Sequence, residues 1–136
     1  MTTTLAELIT THHIDVDPHL DRELSIPILT GIQRQGDVMI LPRRDRKPAT
    51  TPVPAAGTPV VRGENGGNTH AIVGTAARCD LRTATVDDLT LAILTVPAGE
   101  TCYLAHPEHG YMGIGTGTYE IRRQREQADE LRIVAD

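Results

Sequence analysis

Glu64, His70, His106, Glu108 and His109 are the residues whose types and spacing suit chemistry, and that chemistry is coordination of a divalent cation. Imidazole nitrogens and carboxylate oxygens are ligands that borderline metals accept, provided several converge on one point. They fall in two local groups. The first is Gly63-Glu-Asn-Gly-Gly-Asn-Thr-His-Ala-Ile, carrying Glu64, Asn68 and His70; the second is His106-Pro-Glu-His-Gly. The candidate ligands are Glu64, His70, His106 and His109, with Asn68 and Glu108 placed to orient them through hydrogen bonds.

Strand parity connects the groups. In a strand opening at Thr69, His70 shares a face with Ile72; in a strand closing at His106, His106 shares a face with Cys102 and Leu104. If those apolar faces turn inward, both imidazoles turn inward with them, and a buried imidazole needs a partner. A metal supplies one. So does a structural network of His and Glu hydrogen bonds, or a small-molecule pocket lined by the same side chains.

A denser group, His12, His13, Asp15, Asp17 and His19, lies on a polar segment with no rigid element to fix it, and reads as a solvated arm. Other chemistry lacks its residues. No Gly-rich loop carries Lys in P-loop spacing, and Cys79 and Cys102 have neither zinc-finger spacing nor a disulfide framework. Cys102 shares the apolar face of Leu104 and reads as structural.

The elements that must position these side chains are mainly strands. Residues 24–28 and 37–41 alternate apolar with polar, and the Gln35-Gly36 junction suggests a hairpin. Further strands are expected at 59–62, 69–73, 89–96, 100–106, 111–114 and 118–124, punctuated by Gly63, Gly74, Gly99, Gly110 and Gly117. Before them, Thr4 with Glu7 three residues on caps a short helix over 4–11. The expected fold is all-β, a small barrel or sandwich with a short N-terminal helix. Residues 1–23 would form the helical arm and 24–136 a single β domain. A Pro-rich stretch at 42–59 is expected as an exposed, extended loop. The closing residues, 127–136, read as a helix or a last strand.

Composition narrows the function classes. The chain has 136 residues and no Phe or Trp, so Val, Ile, Leu and Ala must build the core. Its three tyrosines (Tyr103, Tyr111, Tyr119) mark one late, well-packed region. A net charge of −5 with mixed signs argues against nucleic acid as a partner. The basic cluster Arg43, Arg44, Arg46 and Lys47 reads as a solvated loop, and Arg122, Arg123 and Arg125 with Glu120 and Glu126 as a charged strand end. No apolar run is long enough to span a bilayer, and the first residues lack the basic and apolar regions of a signal peptide. The expected location is cytoplasmic.

Two resemblances follow. Val96-Pro-Ala-Gly-Glu-Thr-Cys-Tyr-Leu-Ala-His106 resembles the second cupin motif, where a Pro-x-Gly turn precedes a strand bearing a metal-binding His. That likeness implies a double-stranded β-helix, with a longer spacing here and Asn68 in place of the first motif's leading His. More of the chain resembles a group of small uncharacterised bacterial and phage proteins. It does so at Gly63-Glu64, His70-Ala-Ile72, His106-x-Glu108-His109, Gly117-Thr-Tyr119 and Gln124-Arg-Glu126. In that group's pattern Asn68 replaces a His and Pro107 a Glu, and no activity comes with it.

The function that fits best is a small binding module for a divalent metal or polar ligand. A subunit of a homo-oligomeric assembly, such as a phage capsid accessory, is the structural alternative, since arms and long loops wrap neighbours. A metal-water hydrolase with Glu64 or Glu108 as base ranks third, for want of a substrate-anchoring set.

Overall fold

The computed structural model describes residues 3–63, 68–82 and 88–123. Two five-stranded sheets pack face to face and do not close into a barrel, so the all-β expectation resolves as a sandwich. The first sheet has the order β3 (Ile28–Leu29), β11 (Gly110–Ile114), β10 (Cys102–His106), β7 (His70–Val73), β6 (Thr58–Val61). The second runs β4 (Gln33–Gln35), β5 (Val38–Pro42), β12 (Gly117–Arg123), β9 (Thr90–Val96), β8 (Arg78–Leu81). All pairings within them are antiparallel except β3 with β11.

Alternation along the strands fills the space between the sheets. Ile72, Cys102, Leu104 and Ile114 from the first sheet meet Val38, Ile40, Cys79, Leu94, Val96, Tyr119 and Ile121 from the second. The opposite parity of the first sheet builds a second core. There Val73, Tyr103, Ala105 and Tyr111 are covered by Leu5, Leu8, Val16 and Ile26 of the N-terminal segment. Hence β7 and β10 are buried at every position, as strands covered on both faces are.

That cover is held by α1 (Leu5–His12) and by β1 (Thr3–Thr4) pairing β2 (Ser25–Ile26). Thr4 caps the helix by accepting from the Glu7 N–H, and His13 ends it in the left-handed region with its N–H on the Ile9 carbonyl. Leu5 and Leu8 face inward, each worth about 1.5–3 kcal/mol if fully buried.

Several expectations change. The alternation at Leu24, Ile26 and Ile28 is no continuous strand: Pro27 divides it into two-residue pieces, and only Ile26 is buried. Strand β8 carries no alternation long enough to announce itself. The Pro-rich stretch is extended but not simply solvated. Ala49 and Val53 are buried, Cys79 N–H donates to the Thr51 carbonyl and Val53 N–H to the Ala77 carbonyl, so the stretch covers the β8 edge. The basic loop is anchored too. Glu120, 1% exposed on the outer face of the second sheet, accepts from Arg43 Nη1 at 2.7 Å, Arg46 Nη2 at 3.2 Å and the Thr90 hydroxyl. A buried carboxylate demands such partners, and the arginines of the loop are the cations within reach. Arg125, Glu126 and the closing residues lie outside the described residues.

Candidate metal centre

The β7–β10 ladder pairs Ala105 with Ala71 and Leu104 with Ile72, a register that carries His106 up to His70. Their ring centroids stand 4.2 Å apart. Beyond His106 the chain turns through Pro107, Glu108 and His109 and re-enters the sheet at Gly110, which pairs with His106. Gly110 takes the positive φ of 86° that this turn needs. The turn swings His109 back to 4.5 Å from His106 and 5.9 Å from His70, ring to ring. One ligand nitrogen from each of His70, His106 and His109 then lies within 4.8 Å of the other two.

The second sheet supplies the wall. β4 and β5 are joined by Gly36 and Asp37 with φ of 60° at Gly36, the pattern of a II′ hairpin. A Cβ on Gly36 would stand 3.0 Å from His109 Nε2 and 3.5 Å from His70 Nε2, so only a glycine lets the turn approach this closely. Gln35, itself buried, spans the sheets by donating through Nε2 to the Leu104 and Gly110 carbonyls, both at 3.3 Å. Its Oε1 is buried with no hydrogen-bond partner.

The three imidazoles differ in environment. His70 is 4% exposed, and among the described residues neither ring nitrogen has a partner in hydrogen-bond geometry. Burial, then the neighbouring His106, pushes its pKa down to about 4, with His109 adding to the fall; Asp37 acts the other way, as does a contact with the Gln35 backbone that falls short of hydrogen-bond geometry. It is neutral at pH 7, with a lone pair available, which is the form a metal binds. His106 is also held below its ordinary value, mainly by burial and then by His109, against the Asn68 carbonyl, Glu108 and Asp37. Its tautomer follows from its partners. The Glu108 N–H donates to Nδ1 at 3.1 Å, so Nδ1 is the bare nitrogen and Nε2–H donates to the Asn68 carbonyl at 3.0 Å. His109 is exposed and forms the open side of the cluster.

Of the sequence candidates, His70, His106 and His109 are brought together, and Glu64 lies outside the described residues. Asn68 bears on the site through its backbone carbonyl, from a left-handed conformation at φ 50°, not through its amide. Glu108 likewise orients His106 with its backbone N–H, while its side chain is exposed. Gln35, Gly36 and Asp37 are the residues that sequence reasoning missed. The hairpin glycine signalled the turn but not that the turn faces the histidines. In the N-terminal group, Asp17 and His19 pair with each other at the surface and His12 leans on Tyr103 and Tyr111, so no ligand set forms there among the described residues. Cys79 and Cys102 are free and buried, and burial pushes both thiols up to about 12, which suits packing and not nucleophilic attack.

Three imidazoles with one side open can hold a borderline divalent ion and leave a position for a further ligand. Among the described residues no helix is long and apolar enough to cross a membrane. No curated protein and no solved structure matches the chain. A family model does match, over residues 34–124, a stretch that contains the three histidines and Gln35-Gly36-Asp37 but not the N-terminal arm. The chain belongs to the family described as Domain of unknown function (DUF8820).

Proposed function

We propose that this domain is a small metal-binding module whose ligands are His70, His106 and His109. The observation that carries the reading is His70: a neutral imidazole buried between two sheets, both nitrogens without a hydrogen-bond partner among the described residues, with two more imidazoles in ligand reach. An unpartnered buried polar group costs about 1–3 kcal/mol, and a bound cation would remove part of that cost. The all-imidazole donor set favours zinc, copper, nickel or iron over magnesium and calcium, which take oxygen ligands. Elemental analysis of the purified, untagged chain tests the reading, with its melting temperature measured with and without chelator. Near-stoichiometric transition metal and a chelator-sensitive melt are expected; no metal and no shift would return the histidines to a packing role.

A second reading, a subunit of a homo-oligomer, is favoured by a separate observation. Leu24, Ile28, Leu29 and Ile32 are all exposed within nine residues, beside the β3 edge of the first sheet. Exposed apolar side chains on a sheet edge suit pairing with another copy. A monodisperse monomer by light scattering at high concentration would remove this reading.

A further inference from the structure

The N-terminal segment grips the turn that carries two of the three proposed ligands. Asp17 N–H donates to the Pro107 carbonyl at 2.6 Å, and the Tyr111 hydroxyl donates to the Ile14 carbonyl at 2.8 Å. Leu20 lies 3.6 Å from where a Cβ on Gly110 would stand. Arg22 ties the segment into one piece, donating to the carbonyls of Asp17 at 2.7 Å, Val16 at 2.9 Å and Leu20 at 3.0 Å. Residues 14–22 thus form a strap braced by its own hydrogen bonds as well as by those to the body of the domain.

In the held turn His106 has no free lone pair to offer a metal. Its one lone pair, on Nδ1, is occupied by the Glu108 N–H. An ion bound at Nδ1 displaces that N–H directly. An ion bound at Nε2 moves the ring proton to Nδ1, which then faces the Glu108 N–H as donor against donor. By either route the Glu108–His106 hydrogen bond is lost and the Pro107–Glu108 peptide must turn, while the strap holds that same peptide by its Pro107 carbonyl.

Resting on the reading of the cluster as a metal site, we infer that the N-terminal strap is an autoinhibitory contact: its bond to Pro107 opposes metal binding, and metal binding loosens the strap. The two events are linked, so each must weaken the other by the same factor. Loosening lifts Val16 from the apolar face of Tyr103, Tyr111, Ala105 and Val73, which Leu5, Leu8 and Ile26 also cover. The arm lies outside the stretch that the family model matches.

The test is titration of the full chain with Co(II), read by visible absorption. Asp17→Pro removes the donor to Pro107, Asp17→Ala keeps it, and Arg22→Ala unties the strap away from the turn. Asp17→Pro and Arg22→Ala are expected to bind Co(II) about two- to tenfold more tightly than the unaltered chain, the range one hydrogen bond spans, with Asp17→Ala unchanged. Amide exchange at Asp17, Leu5 and Ala6 in the unaltered chain is expected to quicken by a similar factor on zinc loading, which needs no variant to fold. Equal or weaker Co(II) binding by Asp17→Pro and Arg22→Ala, or slower exchange on loading, overturns the inference and leaves the metal site standing. Absence of Co(II) absorption bands in every protein overturns both.

Discussion

His70 and His106 face each other across the β7–β10 ladder with their rings 4.2 Å apart, at the mouth of a core otherwise filled by Ile72, Leu104 and their neighbours. Two imidazoles packed this closely cannot both be protonated without repulsion, and burial already favours the neutral form. Side chains suited to binding metal here therefore cost stability while the metal is absent.

Replacing His70 shows that cost most simply. His70→Leu removes two buried nitrogens that have no hydrogen-bond partner among the described residues, and keeps a side chain of comparable bulk. The metal-free variant is expected to be more stable than the parent by about 1–3 kcal/mol, measured by urea denaturation. The same variant is expected to lose metal binding. A destabilised His70→Leu protein would mean that the contact with the Gln35 backbone outweighs the cost of burying the ring.

Acid should unfold the metal-free protein through the same residue. The pKa of His70 is about 4 in the folded chain against 6.5 for a free imidazole, so between those values the unfolded state binds more protons. Its contribution to stability is complete above pH 6.5 and is lost as pH falls towards 4, at no more than about 1.4 kcal/mol per pH unit for one proton. His12 and His106 are lowered too and add in the same direction. Melting temperatures in chelator from pH 7.5 to 4.5 check this, and His70→Leu should flatten the profile.

Gly36 tests the wall that the second sheet supplies. Gly36→Ala places a methyl 3.0 Å from His109 Nε2 on a backbone at φ 60°. The left-handed conformation alone costs about 1–2 kcal/mol. The displaced His109 should weaken metal binding beyond what the stability loss explains, as titration of the folded variant would show.

Much of this site was legible beforehand. Period-two alternation placed His70 with Ile72 and His106 with Leu104, and the two faces do meet between the sheets. The capped helix and the Gly36 hairpin were equally local signals. What stayed hidden depends on how distant segments pack. Nothing in Gln35-Gly36-Asp37 says that this hairpin tip closes over residues 70 and 109. Nor does Arg43-Arg44-Asp45-Arg46 say that a buried Glu120 awaits it, since an outward-facing Glu on a strand reads as solvated until a loop covers it.

That covered carboxylate gives an independent check. Glu120→Gln keeps the shape but weakens the bonds from Arg43 and Arg46, and is expected to cost about 1.5–3 kcal/mol. It lies on the outer face of the second sheet, so metal affinity should not change. A variant that lost metal binding while still folded would show that the two regions are coupled.

The most direct measurement of the central claim is calorimetric zinc titration of chelator-treated protein, beside His70→Ala, His106→Ala and His109→Ala. One zinc per chain is expected for the parent. Each variant that remains folded is expected to lose at least tenfold in affinity, on the scale of about 1.4 kcal/mol or more per ligand. No binding by the parent, or binding that survives all three substitutions, would contradict a metal centre at His70, His106 and His109.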